Sequence, residues 1–139
     1  MKKPWRVREW ALQILYQNEV TPEKVEESLK AFWEGHPTSE AERVCAEELV
    51  QGVTEHRREI DSFLEEYSQN WSLERMSWID RNILRIGLFE LFYRKETPGP
   101  IVINEAIELG KRYGSSESGA FINGILDRFF KERCGDVSH

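Results

Sequence analysis

Residues 78–94, WIDRNILRIGLFELFYR, are the stretch that decides the fold. At 100° per residue, their apolar side chains occupy nearly the whole circumference of a helix. Three sets face in three directions, namely Ile79, Ile83 and Ile86; Leu84, Leu88 and Leu91; and Trp78, Phe89 and Tyr93. A helix that is apolar on all sides is buried among others, so this stretch predicts the central helix of a bundle. Gly87 costs about 1 kcal/mol of helix propensity relative to Ala, and it predicts a close contact with a neighbouring helix at that point.

Helical periodicity extends outward from this stretch in both directions, and no run alternates with the period of a β-strand. Thr21-Pro22 has the pattern of a helix start, Gly35-His36-Pro37 that of a helix end, and Thr97-Pro98-Gly99-Pro100 that of a loop. Gly52 is expected to bend or divide a long helical segment. The sequence therefore predicts an all-α bundle of about seven helices, at 4–19, 22–34, 39–55, 56–69, 78–94, 101–113 and 118–132.

Composition limits the possible classes of protein. The chain has 139 residues, a length that suits one compact domain. Hydrophobic residues make up 40% of it, a composition too apolar for a disordered chain. No stretch reaches the roughly twenty apolar residues of a membrane span, and none has the pattern of a signal peptide. Cys45 and Cys134 form no CxxC pair, so a zinc site or disulfide framework is not expected. We expect a soluble protein of the reducing cytoplasm.

Charge is unevenly distributed along the chain. The net charge of −6 argues against a generally basic nucleic-acid binder, but the first eight residues contain four cations and no acid. On a helical wheel, a polar face of the first helix adds two amides and a tyrosine. Such a strip suits single-stranded RNA, because cations bind phosphates, amides read base edges and aromatic rings stack on bases. The residues of the basic segment and this strip that we expect to contact RNA are Lys2, Lys3, Arg6, Arg8, Gln13 and Tyr16, although Arg8 lies off the polar face in an ideal helix. On the residues alone, an ordinary solvated helix face is the simpler interpretation.

Four strings, in order along the chain, carry a resemblance to a known family. They are REWALQILYQ at 8–17, ILRIGLFEL at 83–91, VINEAIELGKRYG at 102–114 and FINGILD at 121–127. In sequence, order and spacing they resemble the NusB family of transcription antitermination factors. The segment from about 22 to 70 has no distinctive match.

The resemblance implies a fold of two packed helical subdomains, at about 1–67 and 68–134. It also implies that the chain binds the single-stranded boxA element of nascent ribosomal RNA as a heterodimer with NusE, a small-subunit ribosomal protein. The pair would join a complex that keeps RNA polymerase from terminating. With the resemblance, RNA contact becomes the favoured interpretation of the N-terminal strip. A homodimer is compatible with it.

A second RNA-binding region is expected around the loop before the last helix. This loop is small and polar, and it exposes a helix N-terminus that can receive a phosphate. Tyr113 and Phe121 are expected either to stack on bases or to lie in the core, while Glu117 would weaken phosphate binding. The expected RNA-binding residues here are Lys111, Tyr113, Ser115, Ser116 and Phe121, and Arg85 of the central helix is included with them.

For the protein partner, the resemblance places NusE near the start of the central helix, at Glu74 and Asp80. Acidic side chains there can pair with a basic ribosomal protein. The same acids are also favoured by the macrodipole at a helix N-terminus, and the two interpretations are compatible.

An enzyme is not expected, because the chain contains no GxxxxGK[ST], GxGxxG, HExxH or GxSxG motif. No cofactor and no metal is expected either. Two alternatives to an antitermination factor stay open. One is a helical protein–protein adaptor with weak or no RNA binding, suggested by the Pro4-Trp5 interruption of the basic run. The other is the NusB-like domain of an RNA cytosine methyltransferase, although only six residues follow Arg133.

Overall fold

A computed structural model describes residues 5–69 and 72–134. Within these residues the chain is all-helical, with seven α-helices and one short 3₁₀ helix at Leu73–Arg75. The α-helices are α1 (Trp5–Val20), α2 (Val25–Gly35), α3 (Glu40–Glu55), α4 (Arg57–Tyr67), α5 (Trp78–Tyr93), α6 (Gly99–Tyr113) and α7 (Ser118–Arg133). The predicted all-α bundle is confirmed. None of these helices has both the length and the apolar character that crossing a membrane requires.

The central position predicted for α5 is confirmed by its packing. Every residue from Arg81 to Leu91 is buried, and α5 packs against α1, α3, α4, α6 and α7. The contact expected at Gly87 is made by α7, where a Cβ added at Gly87 would lie 2.8 Å from Leu126 Cδ1. Glycine at this position lets α7 approach the central helix.

Two serines determine where helices begin. The Ser39 side chain accepts a hydrogen bond from the Glu42 N–H at 3.2 Å, and Ser77 accepts one from the Asp80 N–H at 3.0 Å. Each serine satisfies a backbone donor that has no partner inside its helix. The cap at Ser77 fixes where the central helix starts and therefore where Trp78 and Asp80 lie.

The prediction that Thr21-Pro22 starts a helix is wrong. The Thr21 N–H donates to the Gln17 carbonyl at 2.9 Å, so Thr21 continues the last turn of α1. Asn18 then stabilises the connection by donating from its side-chain amide to the Glu23 carbonyl and the Ser28 hydroxyl. As a result α2 begins only at Val25.

Gly52 does not divide its helix, since α3 continues through it to Glu55. The chain breaks at His56, between α3 and α4, which is the boundary predicted between the helices at 39–55 and 56–69. Gly52 lies under the Phe89 ring, and a Cβ there would come within 2.1 Å of Phe89 Cζ. A glycine is needed at this position because the Phe89 ring of the central helix occupies the space that a side chain would fill.

Candidate nucleic-acid interface

The expected RNA-binding residues of α1 divide between the surface and the interior. Arg6, Gln13 and Tyr16 are exposed, whereas Arg8 is buried. Lys2 and Lys3 lie outside the described residues.

Arg8 does not reach the surface, and the expectation that it contacts RNA is not supported by its position. Around the axis of α1, Arg8 faces the same side as the buried Leu12 and Leu15, which is the core-facing side. There its guanidinium pairs with Glu90 of α5. A buried cation is tolerated when a carboxylate accepts its hydrogen bonds, and Glu90 provides that partner. We therefore leave Arg8 out of the interface.

Arg85 is also buried, which removes it from the interface for the same physical reason. Its Nε and Nη2 donate to the carboxylate of Asp61 at 2.8 and 3.1 Å, and Nη1 lies 3.4 Å from Glu19 Oε2. These contacts join α5 to α1 and α4. The guanidinium therefore stabilises the bundle instead of facing a ligand.

Arg6 is exposed but engaged within the protein. Its guanidinium pairs with Glu42 of α3, the shortest contact being 2.8 Å from Nη2 to Oε2, and it lies 5.8 Å from the centre of the Trp10 ring. Hydrogen bonds from Arg6 and Thr38 lower the pKa of the Glu42 carboxyl below its ordinary value. A phosphate that binds Arg6 has to compete with this carboxylate.

Two side-chain contacts and a shared pocket bring α1 together with the start of α5 and the region between α6 and α7. The Tyr16 ring meets the Trp78 ring edge-on, with centroids 6.1 Å apart. The Tyr113 hydroxyl donates to Glu9 Oε2 at 2.5 Å. Asp80 and Phe121 line the same pocket. We call the surface formed by these elements the junction surface, and its residues are Gln13, Tyr16, Trp78, Asp80, Tyr113 and Phe121.

The junction surface is rich in exposed aromatic rings. Tyr16, Trp78 and Tyr113 are 37, 42 and 39% exposed, which is high for large hydrophobic side chains. Tyr113 is therefore at the surface, and Phe121 is half-buried, packing against the core at the mouth of the pocket. Rings held at a surface by neighbouring helices can stack on unpaired bases without being ordered first.

The pocket on this surface has a volume of about 230 Å³ and is lined by Arg75, Met76, Ser77, Asp80, Ser115, Glu117 and Phe121. Asp80 Oδ1 is buried and has no hydrogen-bond partner among the described residues. Glu74 is exposed on the neighbouring 3₁₀ helix. The two acids expected to meet a protein partner thus lie on adjacent elements, and one of them borders the loop expected to bind RNA.

The loop between α6 and α7 uses many of its backbone donors internally. The Ser115 N–H donates to Ser118 Oγ at 2.9 Å, and the Glu117 N–H donates to Ser115 Oγ at 3.2 Å. The Ser118 N–H donates to the Ser115 carbonyl. These donors are not available to a phosphate unless the loop rearranges. Ser116 and Lys111 are exposed, and Lys111 lies 3.7 Å from Glu108.

Sequence reasoning missed Trp78 and Glu9. Trp78 was assigned to the core of a helix that is apolar on all sides, but the first turn of α5 extends beyond the core. Glu9 lies between Arg6 and Gln13 on the polar face of α1, at spacings of three and four residues, and that spacing could have identified it. Its role depends on Tyr113, which is 104 residues away along the chain.

Comparison with known proteins gives consistent matches. A model of the NusB family matches residues 6–131. The transcription antitermination protein NusB of Anaeromyxobacter dehalogenans is 52% identical over 124 residues, which are 88% of this chain and 87% of the relative. The fold is similar to that of T. maritima NusB, with a TM-score of 0.88, 37% identity, and coverage of 97% of this chain and 96% of the other.

A further structural match includes partners. It is a structure of the antitermination factors NusB and NusE in complex with double-stranded RNA. The matching chain has a TM-score of 0.82 and 29% identity, and the match covers 91% of this chain and 96% of that one.

Proposed function

Because this chain belongs to the NusB family of transcription antitermination proteins, we propose that it binds the single-stranded boxA element of nascent ribosomal RNA together with NusE. The pair would act in the cytoplasm, in a complex that keeps RNA polymerase processive. Membership of this family also confirms that the chain is a transcription factor and not an enzyme.

The observation that supports RNA binding most directly is the exposure of aromatic side chains from three helices on the junction surface. Tyr16 of α1 contacts Trp78 of α5, and Tyr113 at the end of α6 is tied to α1 through Glu9. Stacking on such a ring is worth about 1–3 kcal/mol per base. Gln13, exposed on the same face of α1, can hydrogen-bond to a base edge.

Phosphate contacts fall to the cations at the edges of this surface. Arg6 and Lys111 are exposed, and each is paired with a carboxylate that a phosphate can replace. Lys2 and Lys3 stay predicted phosphate contacts. Because the chain carries a net charge of −6, a basic partner beside the RNA would strengthen these contacts.

NusE is proposed to bind beside the start of α5. Glu74 is exposed there and Asp80 is partly exposed in the first turn of α5, so the two carboxylates can attract a basic partner. The NusB–NusE complex to which this fold is similar was determined with double-stranded RNA. A strand that stacks on Tyr16, Trp78 and Tyr113 must have unpaired bases, so we propose single-stranded RNA as the functional ligand.

The proposal is tested by titrating a fluorescent boxA-like single strand with the protein, alone and with NusE, at two salt concentrations. We expect weak binding alone, much tighter binding with NusE, and affinity that falls with salt as counterions are released. A scrambled strand and a duplex of the boxA-like sequence are the controls. Equal binding to the scrambled strand would contradict sequence recognition, and preference for the duplex would contradict base stacking.

The protein–protein adaptor is the second candidate function. It is favoured by the burial of Arg8 and Arg85 and by the Arg6–Glu42 pair, which leave fewer of the expected RNA-binding cations available to phosphate. Failure to bind any of the three RNAs in the presence of NusE, with NusE still bound, would support it. The methyltransferase domain gains no support from the antitermination proteins matched above, since the alignment extends over most of their length.

A further inference from the structure

Glu9 occupies the middle of the polar face of α1 that is proposed to meet RNA. Its carboxylate is mostly covered, with 16% of the side chain exposed. A negative charge is unexpected there, because it repels phosphate. The contacts of Glu9 with the end of α6 explain its presence.

One carboxylate oxygen of Glu9 holds two side chains of α6. Oε2 accepts the 2.5 Å hydrogen bond of the Tyr113 hydroxyl and lies 3.6 Å from Arg112 Nε. The bond to Glu9 raises the pKa of the Tyr113 hydroxyl, with burial as the second cause. The raised pKa reflects the same contact, in which the protonated hydroxyl donates to the carboxylate.

These contacts join α1 directly to α6, two helices that both pack against the central helix α5. Side chains connect the two directly, from Glu9 to Tyr113 and Arg112 at the surface and from Arg8 to Glu105 beneath it. Glu9 therefore determines where the exposed Tyr113 ring lies relative to Gln13 and Tyr16, which share its face of α1.

The second contact affects charge. Arg112 is 60% exposed, and without Glu9 its guanidinium would be a free phosphate ligand at the edge of the junction surface. An RNA phosphate that binds Arg112 must displace Glu9 or approach its negative charge. A phosphate contact adds the same affinity for every RNA sequence. Suppressing one such contact therefore increases the share of the affinity that comes from contacts with bases.

We propose that Glu9 is a positioning residue that makes RNA binding selective, because it orients Tyr113 for stacking and neutralises Arg112. The inference rests on the proposed RNA-binding function. It assigns Glu9 a role in discriminating between RNA sequences, with no requirement that Glu9 touch the RNA.

The test compares three variants in the presence of NusE, using the boxA-like strand and its scrambled version. Glu9→Gln keeps an oxygen that can accept from Tyr113 and removes the charge. We expect its affinity for the scrambled strand to rise about two- to fivefold, the size of an exposed ion-pair effect. The slope of log affinity against log salt should steepen by about 0.7, one further phosphate contact on a single strand.

Tyr113→Phe keeps the ring and removes the hydrogen bond. It should weaken binding of the boxA-like strand without changing the salt slope, because no charge changes. Glu66→Gln is the matched control, since it breaks an exposed pair with Arg133 at the far end of α7 and changes net charge equally. It should leave both affinities and the salt slope at wild-type values.

A readout that does not involve RNA accompanies the titrations. Tyrosine ionisation, followed by absorbance and assigned by difference from Tyr113→Phe, should show Tyr113 of Glu9→Gln losing its proton at lower pH than in the wild type. Thermal unfolding monitors the fold of each variant. A variant with weaker binding to both strands in equal proportion would have lost structure only, and that result would contradict the proposal.

The outcomes separate this inference from the proposed function. If the wild-type protein binds the two strands equally, sequence-selective RNA binding is contradicted, and the role of Glu9 is contradicted with it. If the wild type is selective and Glu9→Gln has the same selectivity and the same salt slope, the role of Glu9 is overturned while the proposed RNA-binding function is retained.

Discussion

Arg8 of α1 and Glu90 of α5 form a bidentate ion pair in the interior of the bundle. The guanidinium Nε and Nη2 each donate to a carboxylate oxygen at 2.8 Å, and the two side chains are 2 and 1% exposed. The pair joins the first helix to the central one, and Glu105 of α6 lies 3.8 Å from Arg8 Nη1. A residue that the sequence places among RNA contacts thus connects three helices.

We expect Arg8→Ala to lower the free energy of unfolding by about 3–5 kcal/mol, because the buried Glu90 carboxylate would lose the guanidinium that compensates its charge. Arg6→Ala is the control, since its pair with Glu42 lies at the surface, where solvent screens it, and its loss should change stability far less. Urea denaturation followed by circular dichroism measures both. An Arg8→Ala variant with wild-type stability and impaired RNA binding would show instead that Arg8 acts at the surface.

Gly52→Ala should destabilise the protein by about 1–3 kcal/mol, because the added methyl group overlaps the Phe89 ring. Gly124→Ala is its matched control, another helical glycine with nothing within 4 Å of the added Cβ. It should raise stability by about 0.5–1 kcal/mol through helix propensity. Equal stabilisation in both variants would mean that Phe89 moves aside easily.

Trp78→Ala should reduce affinity for the boxA-like strand by about 1–3 kcal/mol in the presence of NusE, if one base stacks on this ring. The fold should be retained, because Trp78 is exposed in the first turn of α5. Val44→Ala removes an equally exposed apolar side chain from α3 and should have no effect. Fluorescence anisotropy with labelled RNA provides the affinities; unchanged binding by Trp78→Ala would exclude stacking at this position.

The Arg6–Glu42 pair predicts a pH dependence of stability. The pKa of the Glu42 carboxyl is lowered in the folded protein, chiefly by the hydrogen bond from Arg6. Its contribution is therefore present above the unfolded-state pKa of about 4.3 and is lost as pH falls through the folded-state value. Glu42→Gln should lose less stability than the wild type between about pH 5 and pH 3 in urea titrations. Parallel pH profiles would contradict this contribution.

Much of the candidate site could be predicted from local patterns. The polar face of α1 predicts that Gln13 and Tyr16 lie at the surface, and the small polar residues before the last helix predict a loop between Tyr113 and Phe121. The contact of Tyr113 with α1 could not be predicted, because Glu9 is 104 residues away. The fates of Arg8 and Arg85 could not be predicted, because their partners Glu90 and Asp61 are 82 and 24 residues away. The division into two subdomains near residue 67 stays a prediction.

The sequence by itself determined helicity, the start of α5 after Ser77 and the burial of all sides of α5 between Arg81 and Leu91. These properties depend on side chains within a few residues of one another, through capping and the 3.6-residue period. Tertiary structure decided which charges are internal and which aromatic rings are exposed. Arg8 is buried because Glu90 faces it from another helix, and Tyr113 is held at the surface because Glu9 accepts a hydrogen bond from its hydroxyl. The identity of a charged or aromatic side chain does not by itself decide whether it lies in the interior or at the surface. That position depends on the partner that pairs or hydrogen-bonds with it, and the fold brings that partner from another helix.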